Sequence, residues 1–183
     1  MLCLRLTPLL LLVLGVSLGA AFPQDTLRKG CSLFKYKQVK VHKAALDRMQ
    51  KAFQSNIRRP GRNCDTQLLD REWMSAHLSV PDRVVLVEAE LNFTITMLQV
   101  STHPSFTKRR QQPLKFFAQA REDLRGCVAP SHQPSGELSQ WLQNLQALSP
   151  PQENTSCLED YAIRHVLEVL EDLNCAALQE KCS

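Results

Sequence analysis

The 183-residue sequence predicts an all-α bundle stapled by disulfides. Apolar residues recur at spacings of three and four rather than alternating, which is helical periodicity. Glycine is scarce, and an even set of cysteines follows an N-terminal secretory segment.

That segment opens on Arg5, continues through an apolar run at Leu9 to Leu14, and ends in the small residues Gly19, Ala20 and Ala21. A basic, then apolar, then small-residue order predicts a signal peptide over residues 1–21, cut after Ala21. The run is short for a membrane span of about 20 residues. Cleavage leaves a single domain over residues 22–183, long enough to bury a core. One base and no acid leave with the signal, so the net charge falls from +4 to +3. Such a mild excess does not mark a nucleic-acid binder, and no later segment is apolar enough to span a bilayer. A secreted, monomeric product without membrane insertion is expected.

Cys31, Cys64, Cys127, Cys157, Cys175 and Cys182 remain after Cys3 is removed. In an oxidising route six cysteines predict disulfides, with the pairing left open by the sequence. A zinc site would need Cys-x-x-Cys pairs or a histidine at ligand spacing, and neither pattern is present, so no metal or cofactor is expected. The triplets Asn92-Phe93-Thr94 and Asn154-Thr155-Ser156 are candidate glycan acceptors.

Val39, His42, Leu46, Met49, Phe53 and Ile57 predict the first amphipathic helix, stopped by Arg58-Arg59-Pro60-Gly61. A long connection through Cys64 follows, with one short helical turn expected near Asp70 to Met74. Pro81 and Asp82 suit the start of a second helix, with Val84, Val87, Leu91, Ile95 and Leu98 on one narrow inward stripe. Asn92 lies about 100° of rotation from that stripe, in position to carry glycan. His103-Pro104 is expected to end this helix, leaving Lys108-Arg109-Arg110 in a loop. Gln112-Pro113 then begins a third helix reaching Cys127, with Leu114, Phe117, Ala120 (or Arg121) and Leu124 inward. Glu137 to Leu148 form a fourth around Leu138, Trp141, Leu142 and Leu145. A single last helix is expected from Leu158 to Ala177. Substantial helices joined by long crossings predict up-up-down-down connections.

Catalytic patterns are missing. The five histidines are scattered, and the sequence holds no phosphate-binding glycine loop, no His-Glu-x-x-His and no Gly-x-Ser-x-Gly. An enzyme is not expected. Lys108-Arg109-Arg110 and Arg58-Arg59-x-x-Arg62 are the densest basic spots and read as solvated loops.

The run Val80 to Leu91, Leu124-Arg125-Gly126-Cys127, Trp141-Leu142, Cys157-Leu158-Glu159 and Asp172-Leu173-Asn174-Cys175, in this order and spacing and with six cysteines, resemble the interferon lambda (type III interferon) family across nearly the whole mature chain. The resemblance implies a class II cytokine fold of about six helices with pairings Cys31–Cys127, Cys64–Cys157 and Cys175–Cys182. It implies an antiviral cytokine that binds a lambda-specific receptor chain through the first helix, the following loop and the last helix. The shared interleukin-10 receptor beta chain then joins, and JAK-STAT signalling follows.

On the last helix, Leu158, Ala162, Val166, Val169, Leu170 and Leu173 form the predicted buried stripe, and Leu167 lies about 115° from its centre. Leu167 matches an aromatic receptor contact of the family, while Arg164 stands where the family tends to be apolar. Arg48, opposite the stripe of the first helix, matches a receptor-contact arginine. Arg48, Arg164 and Leu167 are therefore the candidate receptor-binding residues. A type I interferon-like or interleukin-10-like cytokine would differ in cysteine arrangement, above all at Cys175 and Cys182. A secreted lipid-binding helical protein would instead show wide apolar faces or a large cavity.

Overall fold

The computed structural model describes residues 27–57, 66, 69–100, 104–148 and 155–182. The expected signal peptide at 1–21, Cys64, Asn154, the side chain of Ile57 and the Arg58-Arg59-x-x-Arg62 cluster lie outside the described residues. Among the described residues there are six α-helices: α1 (Lys40–Ile57), α2 (Val80–Val100), α3 (Pro104–Leu124), α4 (Gly136–Ala147), α5 (Thr155–Arg164) and α6 (Val166–Leu178). No strand occurs among the described residues.

Cross-chain contacts fix the helix directions. Along α1 and α3 they run in opposite order: the Tyr36 hydroxyl, just ahead of α1, donates to Asp123, His42 stacks on Phe116, and Phe53 meets Phe106 edge-on at 5.3 Å. Along α1 and α5–α6 they are again reversed, with Asn174 donating to the Tyr36 carbonyl, Lys43 facing Glu171 and Gln50 donating to the Ile163 carbonyl. Arg83 reaches Gln179 while Phe93 meets Tyr161, so α2 also opposes α5–α6. Helices α1 and α2 are thus parallel to each other and antiparallel to α3 and α5–α6, an up-up-down-down bundle.

Helix α2 is the centre of this bundle. Val84, Val87, Leu91, Ile95 and Leu98 are all buried, and so are Leu86, Glu90, Thr94 and Met97 around the helix. The narrow stripe expected from the sequence is half of a helix wrapped by α3, α4, α5 and α6. Its start is capped by Ser79, whose hydroxyl accepts the Asp82 backbone N–H at 3.3 Å. The buried Asp82 carboxylate accepts the Ser135 N–H and lies 2.7 Å from His132 Nε2, tying the α3–α4 connection to α2. Arg83, also buried, donates to the carbonyls of Ser75, Ala76 and Gln179. This guanidinium explains why the short helical turn falls at Ser75–His77 and not at Asp70 to Met74.

Three further boundaries differ from expectation. A 3-10 turn over Phe34–Gln38 precedes α1, burying Leu33 and Tyr36. Helix α3 begins at Pro104, so Lys108, Arg109 and Arg110 are helical rather than in a loop, and Pro113 is internal. An interior proline costs about 3 kcal/mol. Full burial of Phe106 against Phe53 at the start of α3 stabilises by a similar amount, which keeps the helix continuous. The expected single last helix is broken at His165, whose backbone has φ −97° and ψ 3°. The His165 imidazole Nδ1 sits 2.8 Å from the Tyr161 carbonyl and stacks on the Tyr161 ring at 3.9 Å, a side-chain interaction that competes with helical geometry.

The described residues contain disulfides Cys31–Cys127 and Cys175–Cys182. Cys157 is also disulfide-bonded. The first bridge closes a separation of 96 residues and the second one of 7. Loop-closure entropy assigns them about 4.7 and about 2.4 kcal/mol. Replacing Cys31 and Cys127 together by serine should therefore lower the melting temperature more than replacing Cys175 and Cys182. Calorimetry on both double variants checks this, and equal losses would show that local helix-end packing outweighs chain entropy.

Candidate functional site

The α1/α5–α6 seam collects the polar groups that bridge these helices. Gln50 Nε2 donates to the Ile163 carbonyl at 3.2 Å and the Arg164 carbonyl at 2.7 Å, using the acceptors that the break at His165 exposes. Seven residues earlier, Lys43 lies 3.4 Å from Glu171. Both groups of that pair are largely exposed, so it contributes little stability and marks geometry more than strength.

Leu167 falls between these two crosslinks. It is partly buried and packs against the main core, where the sequence placed it off the core stripe. A lone helical wheel omits the neighbouring elements of this core, including α1, which Gln50 and Lys43 link to α5 and α6. Ile163 is fully buried and extends the expected stripe on the same side. Arg164 is exposed at the end of α5, paired with Asp160 one turn earlier at 2.9 Å. Arg48 is exposed on α1. Two residues separate it from Gln50, about 160° of rotation by the shorter way, so Arg48 points away from the seam. The structure brings Arg164 and Leu167 together and leaves Arg48 on a separate strip of α1. Asn92 is exposed on α2.

Behind the seam lies a charged cluster that sequence reasoning missed. Arg71 Nη2 is 3.0 Å from Glu90, 2.7 Å from Asp172 and 2.9 Å from Glu168, and the side chains of Arg71, Glu90 and Asp172 are only 6–8% exposed. One guanidinium thus joins the α1–α2 connection to α2 and α6. Three carboxylates meet one cation, and Glu90 Oε2 is buried without a donor. Burial, and then the neighbouring Asp172, push the Glu90 carboxyl well above the usual range against the opposing pull of Arg71. The cluster borders a cavity of about 230 Å³ that Trp141, Tyr161, Phe93 and His165 also line. The Trp141 indole and the Tyr161 hydroxyl both donate to the Leu69 carbonyl. These polar walls do not suit an acyl chain. The available signal was that Glu90 and Asp172 each fall at helical spacing from core residues.

An up-up-down-down bundle of this kind, with a bridged two-helix face and long crossing connections, is the architecture of a helical cytokine. A family model described as Interleukin-28A matches residues 28–179. The chain is 46% identical to interferon lambda-3 of Gallus gallus over the full length of both. It is 28% identical to interferon lambda-1 of Homo sapiens, covering 82% of this chain and 79% of that one. Interferon lambda-3 of Mus musculus is 26% identical, covering 84% and 83%. The chain belongs to the interferon lambda family, cytokines of the type III interferon kind.

The Glu90 carboxyl supplies a pH test. Unfolded, it titrates near its ordinary value of 4.5; folded, it keeps its proton to higher pH. The folded state therefore binds more protons than the unfolded chain above that value, so the contribution of Glu90 to stability declines as pH rises. Glu90→Gln mimics the protonated acid. Its unfolding free energy should match the parent near pH 4 and exceed it at pH 7. Urea unfolding of both proteins at the two pH values checks this; a gap that shrinks with rising pH would mean that Glu90 is ionised in the fold.

Proposed function

We propose that the chain is a secreted antiviral cytokine that acts as a monomer, its signal peptide (1–21) removed on export. It engages a lambda-specific receptor chain first and the shared interleukin-10 receptor beta chain second, and the pair of class II cytokine receptors activates JAK-STAT signalling. Membership of the interferon lambda family carries this reading. Application of the purified protein to epithelial cells with and without the lambda-specific chain tests it. Transcription-factor phosphorylation should require that chain, and a response that persists without it overturns the assignment.

The face offered to the first receptor chain is the α1/α5–α6 seam, with Arg164 and Leu167 as contacts and Arg48 contributing from the adjoining strip of α1. A half-buried leucine between two exposed polar crosslinks suits an interface: its exposed part adds apolar contact area, and its covered part holds its rotamer. Glycan is carried on Asn92 and Asn154, and Cys64 pairs with Cys157.

Truncation of Leu167 separates binding from folding. Leu167→Ala should weaken receptor binding by roughly thirtyfold, the loss of about 2 kcal/mol typical of an interface anchor. Since Leu167 also packs on the core, the variant should melt a few degrees lower. Val166→Ala, at a fully buried site, should melt lower while binding normally once folded. Calorimetry with surface-immobilised receptor chain measures both. Normal binding by folded Leu167→Ala places the receptor contact elsewhere.

A further inference from the structure

The N-terminal strap has a charge pattern that neither folding nor the seam accounts for. Between Leu27 and Leu46 stand Arg28, Lys29, Lys35, Lys37, Lys40 and Lys43, without one acid. Those six charges exceed the net charge of the whole chain, +4, so the remainder sums to −2. The segment is held rigidly. Cys31 is bonded to Cys127, the Arg28 backbone N–H donates to the Cys127 carbonyl at 2.7 Å, and the Phe34–Gln38 turn is wedged against Asp123 of α3 and Asn174 of α6.

All six cations are exposed. Lys35 pairs with Asp123 and Lys43 loosely with Glu171, whereas Arg28, Lys29, Lys37 and Lys40 meet no carboxylate among the described residues. Phe34, Lys37, Lys40 and Lys43 succeed one another at intervals of three, from the 3-10 turn into the first turn of α1, and so form one continuous row. Phe34 is 74% exposed, with the Lys37 ammonium 5.3 Å from its ring centre. For folding alone this arrangement is costly: lysines crowd at the positive end of the α1 dipole and repel one another.

We propose that this row binds a sulfated polysaccharide of the cell surface or extracellular matrix. A linear polyanion matches a rigid row of exposed cations of which Lys37 and Lys40 meet no carboxylate among the described residues, since each sulfate can meet a separate ammonium while Phe34 offers a flat apolar surface to a sugar ring. An anionic membrane fits less well. Only Phe34 and Val41 are large exposed apolar side chains on the strap, and the anionic leaflet faces the cytoplasm, whereas the function proposed above places the protein outside the cell.

The test uses immobilised heparin, with fully desulfated heparin and phosphatidylserine vesicles as comparisons. The parent protein should bind heparin at physiological salt, lose it steeply as salt rises, and ignore desulfated heparin. Lys37→Gln with Lys40→Gln should bind heparin about tenfold more weakly at unchanged melting temperature. Lys108→Gln with Arg109→Gln, an equal charge change at exposed sites on α3, should bind like the parent. The proposal is overturned by failure of the parent to bind, by equal binding of desulfated heparin, by tighter binding to vesicles, or by equal losses in the two double variants. No receptor is present in this assay, so its failure leaves the receptor reading intact.

Discussion

Most of the polar architecture follows from the position of α2. A helix wrapped by four others keeps only a strip around Asn92, Thr96 and Gln99 open to solvent, so the polar residues elsewhere on it must find partners inside the protein. Asp82 finds His132 and the Ser135 amide, Arg83 finds three carbonyls, and Glu90 finds Arg71. His132 and Ser135 come from the α3–α4 connection, Arg71, Ser75 and Ala76 from the α1–α2 connection, and Gln179 from the chain just beyond α6. The connections of this bundle are therefore held by the needs of its central helix as well as by disulfides.

The same logic separates the inner and outer ends of the seam. Inside, Arg71 locks α6 and the α1–α2 connection to α2, and a buried ion cluster of this kind holds a definite geometry rather than adding much stability. Outside, Gln50 uses the carbonyls freed at the His165 break, so the irregular point of the last helices becomes the point where α1 grips them. A receptor face built there rests on fixed backbone, which lowers the entropy lost on association.

Helix identity was largely legible in the sequence because the apolar period is strong; among the described side chains, the inward residues expected for α1, α2 and α3 are all at least partly buried. What the sequence hid has specific causes. Prolines misled about where α3 starts, since Pro104 opens the helix and Pro113 sits inside it, where the packing of Phe106 outweighs a missing hydrogen bond. The break at His165 depends on stacking with Tyr161, a contact no spacing rule reports. A wheel drawn for one helix cannot show what a neighbour covers, which is why Leu167 reads as free and is half-buried. The Arg71 cluster joins residues 101 positions apart and becomes visible only once the helix directions are known.

That cluster also constrains how such a chain can change over generations. Loss of Arg71 alone would strand the buried Asp172 carboxylate beside a Glu90 that holds its proton, whereas loss of one acid leaves the guanidinium still matched by the others. Replacement of Asp172 first removes that charge and opens a route to a later loss of the arginine. The order of substitution thus decides viability: the same pair of replacements is accessible in one sequence and closed in the other, a form of epistasis set by counting buried charges.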